Sequence, residues 1–394
     1  MNIIAISNRI PAENKRGDQS VSFHRLIYLA ILGHSIDLVC FQSENLKDDD
    51  KAKKILEKKK IRVHFIKFNI FEAIINLLKS FFSNDLPLQS TFFKSKEFTK
   101  RIRILHKDKK IDFIYCVMIR VAPNINWYNG KLILEMVDSM GLNFLRRFHI
   151  AKGFKKWIFK REQIKVSNYE KSLADRSYRS FVVSSIDQKK INSRKVQVAP
   201  LGVKIFNKFR KTVKKPIIVF SGNMFYQPNI DAITWFVKYC WSNILIQLPK
   251  AEFLIVGSNP TLEITAIEKK YPSIKVTGRV NSVFEVLNKA SVSIAPMQSG
   301  SGMQFKILEA MACAVPVVCT SIGIGDIKAI EDKDVIVTDT PNDFAQKVVD
   351  IVKSQRQNDR IGKNGQLYVY KNHNWKKLNE KFVDLCDLKK INLN

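Results

Sequence analysis

The stretch SIAPMQSGSGMQFKILEAMACAVPVVC, residues 293–319, decides how this chain is read. An apolar run ends at Pro296. A Gly-Ser-Gly loop follows at Gly300, Ser301 and Gly302, then a helical pattern from about Gln304 to Cys313, and Pro316 opens a second apolar run. A strand, a glycine-rich loop and a helix in that order aim free backbone N–H groups at the carboxyl end of a sheet, a good seat for phosphate. Lys306, in the first helical turn, adds a point charge to a diphosphate. Glu309 lies three residues on, on the same helix face, where a carboxylate can accept hydrogen bonds from ribose hydroxyls. Its neighbours Leu308, Ala310 and Met311 are apolar, so this acid stands in an otherwise core-facing helix. Taken singly, Glu309 reads first as an ordinary helix carboxylate and Lys306 as a surface lysine; the constellation carries the reading.

Outward from this stretch, β-rich runs alternate with helical ones. Residues 2–7 (NIIAIS), a helix over 20–32 stopped by Gly33, and residues 35–41 (SIDLVCF) make one β-α-β unit. Further strands are expected at 61–68, 111–117, 131–137 and 180–184. The pattern restarts after Pro200: the polar, basic segment 203–215 reads as a linker, and 217–220, 252–256, 274–277, 292–295, 317–320 and 335–338 read as strands. Two doubly wound, Rossmann-like α/β domains follow, over 1–202 and 216–373. Ligands are expected at the carboxyl ends of their strands and in a central cleft that the domains face. A final helix within 374–394 is placed to cross back to the first domain.

Composition bounds the function. At 394 residues, with 45% hydrophobic and 26% charged residues, the chain is an ordinary two-domain globular protein. Six cysteines (Cys40, Cys116, Cys240, Cys313, Cys319, Cys386) stand far apart with no metal-ligand spacing, which predicts reduced, buried thiols in a cytoplasmic setting. Residues 1–7 read as a first strand rather than a secretory signal. No uninterrupted apolar stretch reaches the roughly 18 residues of a membrane span. The net charge is +30, and residues 1–200 hold 39 Lys and Arg against 19 Asp and Glu. Such a surplus points to an anionic partner or surface, or to a lysine-rich composition on solvated helix faces.

The run GSGMQFKILEAMACAVPVV resembles the nucleotide-sugar-binding segment of the GT-B-fold glycosyltransferases, in particular family 4 and its relatives. FSGNMFYQPNIDAITWF (220–236), AEFLIVG (251–257) and IKVTGRVNSVFEVLNKASVSIAP (274–296) agree in order and spacing. The similarity covers about 216–385 well and the first domain loosely, and is strongest to bacterial sugar transferases of exopolysaccharide or surface-glycan assembly. The resemblance implies that Gly222 and Asn223 sit beside the donor phosphates or sugar. It puts Gly278, Arg279 and Val280 near the base, Lys306 at the diphosphate or donor sugar, and Glu309 at the ribose; Gly300, Ser301 and Gly302 are donor-binding candidates from the loop reading itself. Three departures stand out. A Glu usual eight residues before Glu309 is Ser301; the usual Asn-Gly-Val-Asp closing the first domain is Leu201-Gly202-Val203-Lys204; and a His frequent near Val137 is absent, leaving Asp138 in the loop after the strand.

In the first domain, Gly17 in the loop IPAENKRGDQS (10–20) is the flexible point that, in relatives, meets the donor diphosphate and acceptor. Asp18 reads as helix cap or site residue. Asp138 follows a strand where a doubly wound fold places ligand contacts, and joins Lys306 and Glu309 as a candidate catalytic residue, or caps the following turn. Residues 71–93 are rich in Phe and Leu; residues 146–179 carry 11 Lys and Arg against three acids, with Phe148, Phe154, Trp157, Ile158 and Phe159 among them. Both segments suit a helix lying on anionic headgroups, or a core helix with solvated basic residues.

The resulting expectation is transfer of a sugar from a nucleotide-diphosphate donor to a glycan or lipid-linked acceptor. Helix and loop N–H groups with Lys306 stabilise the leaving diphosphate, so neither metal nor cofactor is required. Asp48–Asp50 is read as part of a charged linker, not a metal motif. Family resemblance implies retention of anomeric configuration, in which no dedicated base is needed, and a peripheral site on the inner face of the cell membrane. Three alternatives remain. A basic nucleic-acid-binding protein fits the charge, but no recognition signature accompanies it, so no specific nucleic acid is expected. A dehydrogenase would need Gly-x-Gly-x-x-Gly near residues 8–20. An inactive transferase paralogue fits Ser301 and Leu201.

Overall fold

The structure, a computed structural model, describes residues 1–13, 17–82, 86–205, 215–299 and 303–388. Two compact units divide the chain: Met1–Leu201 joined by the segment from Lys376 onward, and Gly202–Trp375.

Unit 1 is built on strands β1 (Asn2–Ser7), β2 (Ser35–Phe41), β3 (Ile61–Ile66), β4 (Phe113–Val117), β5 (Leu132–Val137), β6 (Arg179–Val182) and β7 (Val196–Val198). Among the described residues they pair in parallel in the order β3-β2-β1-β4-β5-β6-β7. Helices cover both faces of a parallel sheet, so its central strands need apolar residues throughout. IIAIS of β1 and FIYCV of β4 are buried at every position. The helices are α1 (Gly17–Ile31), α2 (Leu46–Glu57), α3 (Ile70–Phe82), α4 (Leu88–Phe92), α5 (Lys96–Asp108), α6 (Met140–Ile150), α7 (Gly153–Arg176) and α8 (Ser185–Ile191).

Unit 2 repeats the scheme with β8 (Ile217–Ser221), β9 (Glu252–Val256), β10 (Ile274–Gly278), β11 (Val292–Ala295), β12 (Val317–Cys319) and β13 (Ile336–Val337), in the order β10-β9-β8-β11-β12-β13. Its helices are α9 (Gln227–Tyr239), α10 (Trp241–Gln247), α11 (Leu262–Lys270), α12 (Val283–Leu287), α13 (Phe305–Ala312), α14 (Ser321–Ile324), α15 (Pro341–Lys353) and α16 (Gln355–Asn372). Phe236, Trp241, Phe253 and Phe344 anchor its core, with the Phe236 and Phe253 ring centroids 4.9 Å apart.

The last helix, α17 (Trp375–Leu385), returns the chain to unit 1. Arg25 of α1 holds it there: its NH1 donates to Asn379 Oδ1 at 2.8 Å and Leu378 O at 2.9 Å. The guanidinium lies 4.4 Å from the Phe382 ring centroid and 3.7 Å from Glu135 Oε2, all out of water.

Expected strand positions agree with those found to within a few residues, with two differences. The strand β7 escaped the sequence reading because three edge residues, VQV, show no periodicity. Asp48–Asp50 lies in α2 and not in a linker. Asn45 caps the helix by accepting the Asp48 N–H at 3.2 Å, and the acids sit at the positive end of the helix dipole. Asp49 is buried and accepts from the Ser43 N–H and Oγ at 2.7 and 2.8 Å. The six cysteines are free thiols, all buried.

Candidate functional site

Both sheets reverse their strand order once, between β1 and β4 in unit 1 and between β8 and β11 in unit 2. Crossovers leave the sheet in opposite directions at such a point and open a crevice at the carboxyl ends of the strands, where doubly wound folds bind ligands.

In unit 2 the crevice is flanked by the loop after β8, with Gly222 and Asn223, and by the segment after β11, which leads into α13. Gly300, Ser301 and Gly302 lie outside the described residues. The N-cap residue of α13, Gln304, makes no side-chain capping bond, and the positive end of a helix suits an anion. Lys306 projects from the first turn and is only 7% exposed. Its Nζ donates to Asn229 Oδ1 at 2.6 Å and lies 4.5 Å from the Phe220 ring centroid. Asn229 in turn donates from Nδ2 to Asn223 O at 2.9 Å, tying the lysine to the β8 loop. Burial lowers the Lys306 pKa to about 7, and the charge of nearby Glu309 opposes that fall. Half-buried Glu309 is raised to about 7, again by burial, with Lys306 opposing. Each group is therefore poised between its charged and neutral forms, and an anion at α13 would draw a proton onto the lysine.

Three neighbouring strand ends are laced together here. The Gly222 N–H donates to Val256 O at 2.9 Å, Gly257 to Gly278 O at 3.1 Å, and Met224 to Ser258 O at 2.9 Å. A Cβ on Gly257 would stand 1.6 Å from Gly222 O, so the backbones can approach only with glycine there. Gly278 has φ +65°, the left-handed region that glycine adopts without strain. Arg279 is exposed and Val280 half-buried in the loop beyond β10. Gly222, Asn223, Gly278, Lys306 and Glu309 thus share one pole of one sheet. The sequence reading missed Asn229, Phe220 and Gly257; the apolar run AEFLIVG ending in glycine was the available signal for the last.

The unit 1 pole holds Gly17, the first residue of α1, and Asp18, whose Oδ2 lies 3.5 Å from Arg9 Nε. Asp138 follows β5 through an unusual turn. Val137 has φ +65°, and the Asp138 N–H donates to Met136 O at 2.8 Å, forming a γ-turn centred on a β-branched residue. Such a conformation costs roughly 1–3 kcal/mol and persists only where its surroundings over-determine it. They do: Ser139 N–H donates to Asp187 Oδ1 at 2.9 Å, Ser139 Oγ to Glu170 Oε2 at 2.9 Å, and Met140 N–H to Glu170 Oε1 at 2.6 Å. Half-buried Asp138 accepts from Asn143 Nδ2 at 2.8 Å; burial raises its pKa, Asn143 opposes, and Asp187 adds to the rise. Burial likewise pushes Glu170 up to about 7 against its three donors. Nothing in the sequence marked Glu170 or Asp187, because their role depends on α7 and α8 packing beneath the turn.

Two Rossmann-like parallel sheets in one α/β chain define the GT-B architecture, which solved glycosyltransferase structures share with this chain over nearly its whole length. Residues 215–354 match the family described as "Glycosyl transferases group 1", so the second unit carries a glycosyl transferases group 1 domain. An "Uncharacterized 44.6 kDa protein in cps region" from Klebsiella pneumoniae is 21% identical over 391 residues, 95% of this chain and 97% of that protein. Anabaena HepE, solved in complex with UDP and glucose, is 13% identical with a TM-score of 0.64, covering 98% of this chain and 99% of HepE. WaaG, solved as "a glycosyltransferase involved in lipopolysaccharide biosynthesis", is 12% identical with a TM-score of 0.64 over 98% and 99% of the two chains.

Proposed function

We propose that the protein transfers a sugar from a nucleotide-diphosphate donor to a hydroxyl of a glycan or lipid-linked acceptor in surface-polysaccharide assembly, as a family 4-type glycosyltransferase. The observation that carries this is the uncapped start of α13 with Lys306 buried behind it and Glu309 one turn on, inside the region that matches the group 1 family. In this reading the α13 N–H groups and Lys306 take the charge that builds on the departing diphosphate. Glu309 accepts from ribose hydroxyls, and Gly222, Asn223, Gly278, Arg279, Val280 and residues 300–302 complete the donor site. Gly17 and Asp138 serve the transfer from the unit 1 pole. The positive charge comes from the chain itself, so the proposal includes no metal or cofactor, and it includes retention of configuration. A "cps region" relative and a lipopolysaccharide enzyme with the same fold support the surface-glycan assignment.

Thermal-shift measurements against a panel of nucleotide sugars, with UDP included, test the donor site. Stabilisation by at least one of them is expected, reduced at least tenfold in apparent affinity by Glu309→Gln, or about 1.4 kcal/mol. A folded protein indifferent to the whole panel refutes the reading. Anomeric NMR of the product then decides between retention and inversion.

A further inference from the structure

Lys306 is a cation in an unfavourable place. It stands in the first turn of α13, at the positive end of the helix dipole, and it is buried. Its hydrogen-bond partners among the described residues are all uncharged: Asn229 Oδ1 at 2.6 Å, and Gln304 Oε1 and Met297 Sδ at 3.5 Å. The Phe220 ring of β8 closes another side, and Glu309, on α13 itself, is the charged group that acts on the ammonium without bonding to it. A buried charge ordinarily meets an opposite one. Two others in this chain do: Asp37 holds Arg62 and Lys109, and Arg25 stands 3.7 Å from Glu135. At Lys306 the place of the counter-ion is taken by an amide.

That amide belongs to Asn229, buried in the first turn of α9 just after Pro228. Its orientation is fixed from both ends. Nδ2 donates to Asn223 O at 2.9 Å, so Oδ1 is the atom that faces the ammonium. The side chain also lies close against Gly222, where an added Cβ would stand 2.7 Å from Nδ2. Asn223 O accepts the Tyr226 N–H at 3.2 Å as well, and Asn223 Oδ1 accepts the Phe225 N–H at 3.1 Å, so the loop after β8 is a closed turn with its carbonyl clamped by Asn229. One side chain therefore holds both the lysine of α13 and the loop of β8. Aspartate has the same shape and would bind the ammonium more strongly. It would also neutralise the lysine, and it would turn an oxygen, not an N–H, toward Asn223 O. Of the two, only the amide holds both neighbours and leaves the charge as it is.

We propose that Asn229 is a positioning residue of the donor site, a neutral clamp that fixes the Lys306 ammonium and the loop after β8 together while leaving the lysine's charge uncompensated for the ligand's diphosphate. The diphosphate then serves as the counter-ion that the fold withholds, and a ligand without phosphates gains nothing from the lysine. The identity of the ligand rests on the transferase reading; the control of the lysine's charge by Asn229 does not.

Asn229→Asp and Asn229→Ala in the full-length protein test it. Both lose the clamp on Asn223 O, and only Asn229→Asp adds a carboxylate beside the ammonium, so the difference between them isolates charge. The first comparison is urea denaturation without ligand at pH 7, 8 and 9. A lysine whose folded pKa is depressed costs stability that is recovered as pH rises toward its unfolded pKa, whereas an aspartate at 229 restores the lysine to its ordinary range and removes the recovery. Wild type and Asn229→Ala should therefore both gain stability relative to Asn229→Asp between pH 7 and pH 9; gaps that stay constant overturn the proposal. The second comparison is calorimetric titration with UDP, inorganic pyrophosphate and uridine. Asn229→Ala should bind UDP roughly threefold or more weakly than wild type, the loss of about one hydrogen bond. Asn229→Asp should bind UDP and pyrophosphate at least tenfold more weakly than Asn229→Ala, and uridine equally. Wild-type affinity in Asn229→Ala overturns the proposal even where Asn229→Asp fails to fold, and so does equal UDP affinity in two folded variants. A folded wild type that binds neither UDP nor pyrophosphate removes the transferase reading of the ligand, and the urea comparison then decides the role of Asn229 by itself.

Discussion

Lys306→Met should make the ligand-free protein more stable while destroying its affinity for nucleotide. Methionine keeps the length and apolar stem of lysine and removes the ammonium. Burial takes the Lys306 pKa from 10.5 to about 7 in the folded protein. A base whose folded pKa lies below its unfolded one carries a penalty that is full below the folded value and fades as pH rises toward the unfolded value. A fall of about 3.5 in pKa bounds that penalty at ~5 kcal/mol. The methionine variant gives up the 2.6 Å bond to Asn229, the Phe220 contact and a partner for Asn229 Oδ1, together about 2–4 kcal/mol. The net gain at pH 7 is therefore about 1–3 kcal/mol, a Tm rise of roughly 2–10 °C for a domain of this size.

The pH dependence separates this cause from generic repacking. Between pH 7 and pH 9 the wild-type penalty should shrink, by roughly 2 kcal/mol, so the advantage of Lys306→Met narrows and then inverts. Urea denaturation of both proteins at pH 7, 8 and 9 reads the gap directly, and calorimetric titration with UDP reads the binding. A variant less stable than wild type at pH 7, or a gap constant with pH, would refute the electrostatic account. Retained wild-type affinity would refute the placement of the diphosphate.

Other residues give independent checks. With Lys306 and Glu309 both near pH 7, nucleotide binding at pH 7.5 should take up about half a proton; calorimetric titrations in two non-phosphate buffers whose ionisation enthalpies differ measure it, and the same released heat in both would refute it. Gly257→Ala places a Cβ 1.6 Å from Gly222 O and should cost at least about 3 kcal/mol or prevent folding of unit 2, scored by soluble yield and Tm. Arg25→Met removes the counter-charge of buried Glu135, leaving it only the Tyr115 hydroxyl at 3.3 Å, and should cost about 3–5 kcal/mol. Because burial raises the Glu135 pKa above its unfolded value, that cost should ease as pH falls and the acid protonates, which a Tm series from pH 8 to pH 5 would show.

Much of the fold was open to sequence reading because it rests on local signals. Short apolar runs rich in β-branched and aromatic residues, such as FIYCV and EFLIV, read as buried strands, and their alternation with helices indicates the doubly wound class. The placement of the candidate donor residues was legible for the same reason: Gly222, Lys306 and Glu309 lie at junctions of strand, loop and helix that motif spacing marks. What escaped depends on contacts between distant segments. Asn229 bridges Lys306 and Asn223 only because α9 and α13 flank the same switch point. Glu170 and Asp187 support Asp138 from helices 32 and 49 residues further along the chain. The aromatic segments 71–93 and 146–179 show the limit most clearly. Composition marked them as interfacial, but only packing separates exposed Phe71 and Trp157 from buried Phe144 and the Phe92–Phe93 cluster.

The two poles have a common physical character. In unit 2 an ammonium is kept out of water, held by Asn229 Oδ1 at 2.6 Å with Gln304 Oε1, Met297 Sδ and the Phe220 ring around it. In unit 1 a valine is kept in the left-handed region beside carboxylates that burial makes reluctant to ionise. Neither arrangement helps the chain to fold, and a sequence optimised for stability alone would have replaced both. Strain of this kind persists where a ligand repays it; in the proposed function an anion at Lys306 would supply the missing charge, and an acceptor at Asp138 would hydrogen-bond a carboxylate already in place. That both liabilities occur at the carboxyl ends of parallel strands, where the topology independently places ligands, is the strongest reason to regard them as a working site and not as accidents of packing.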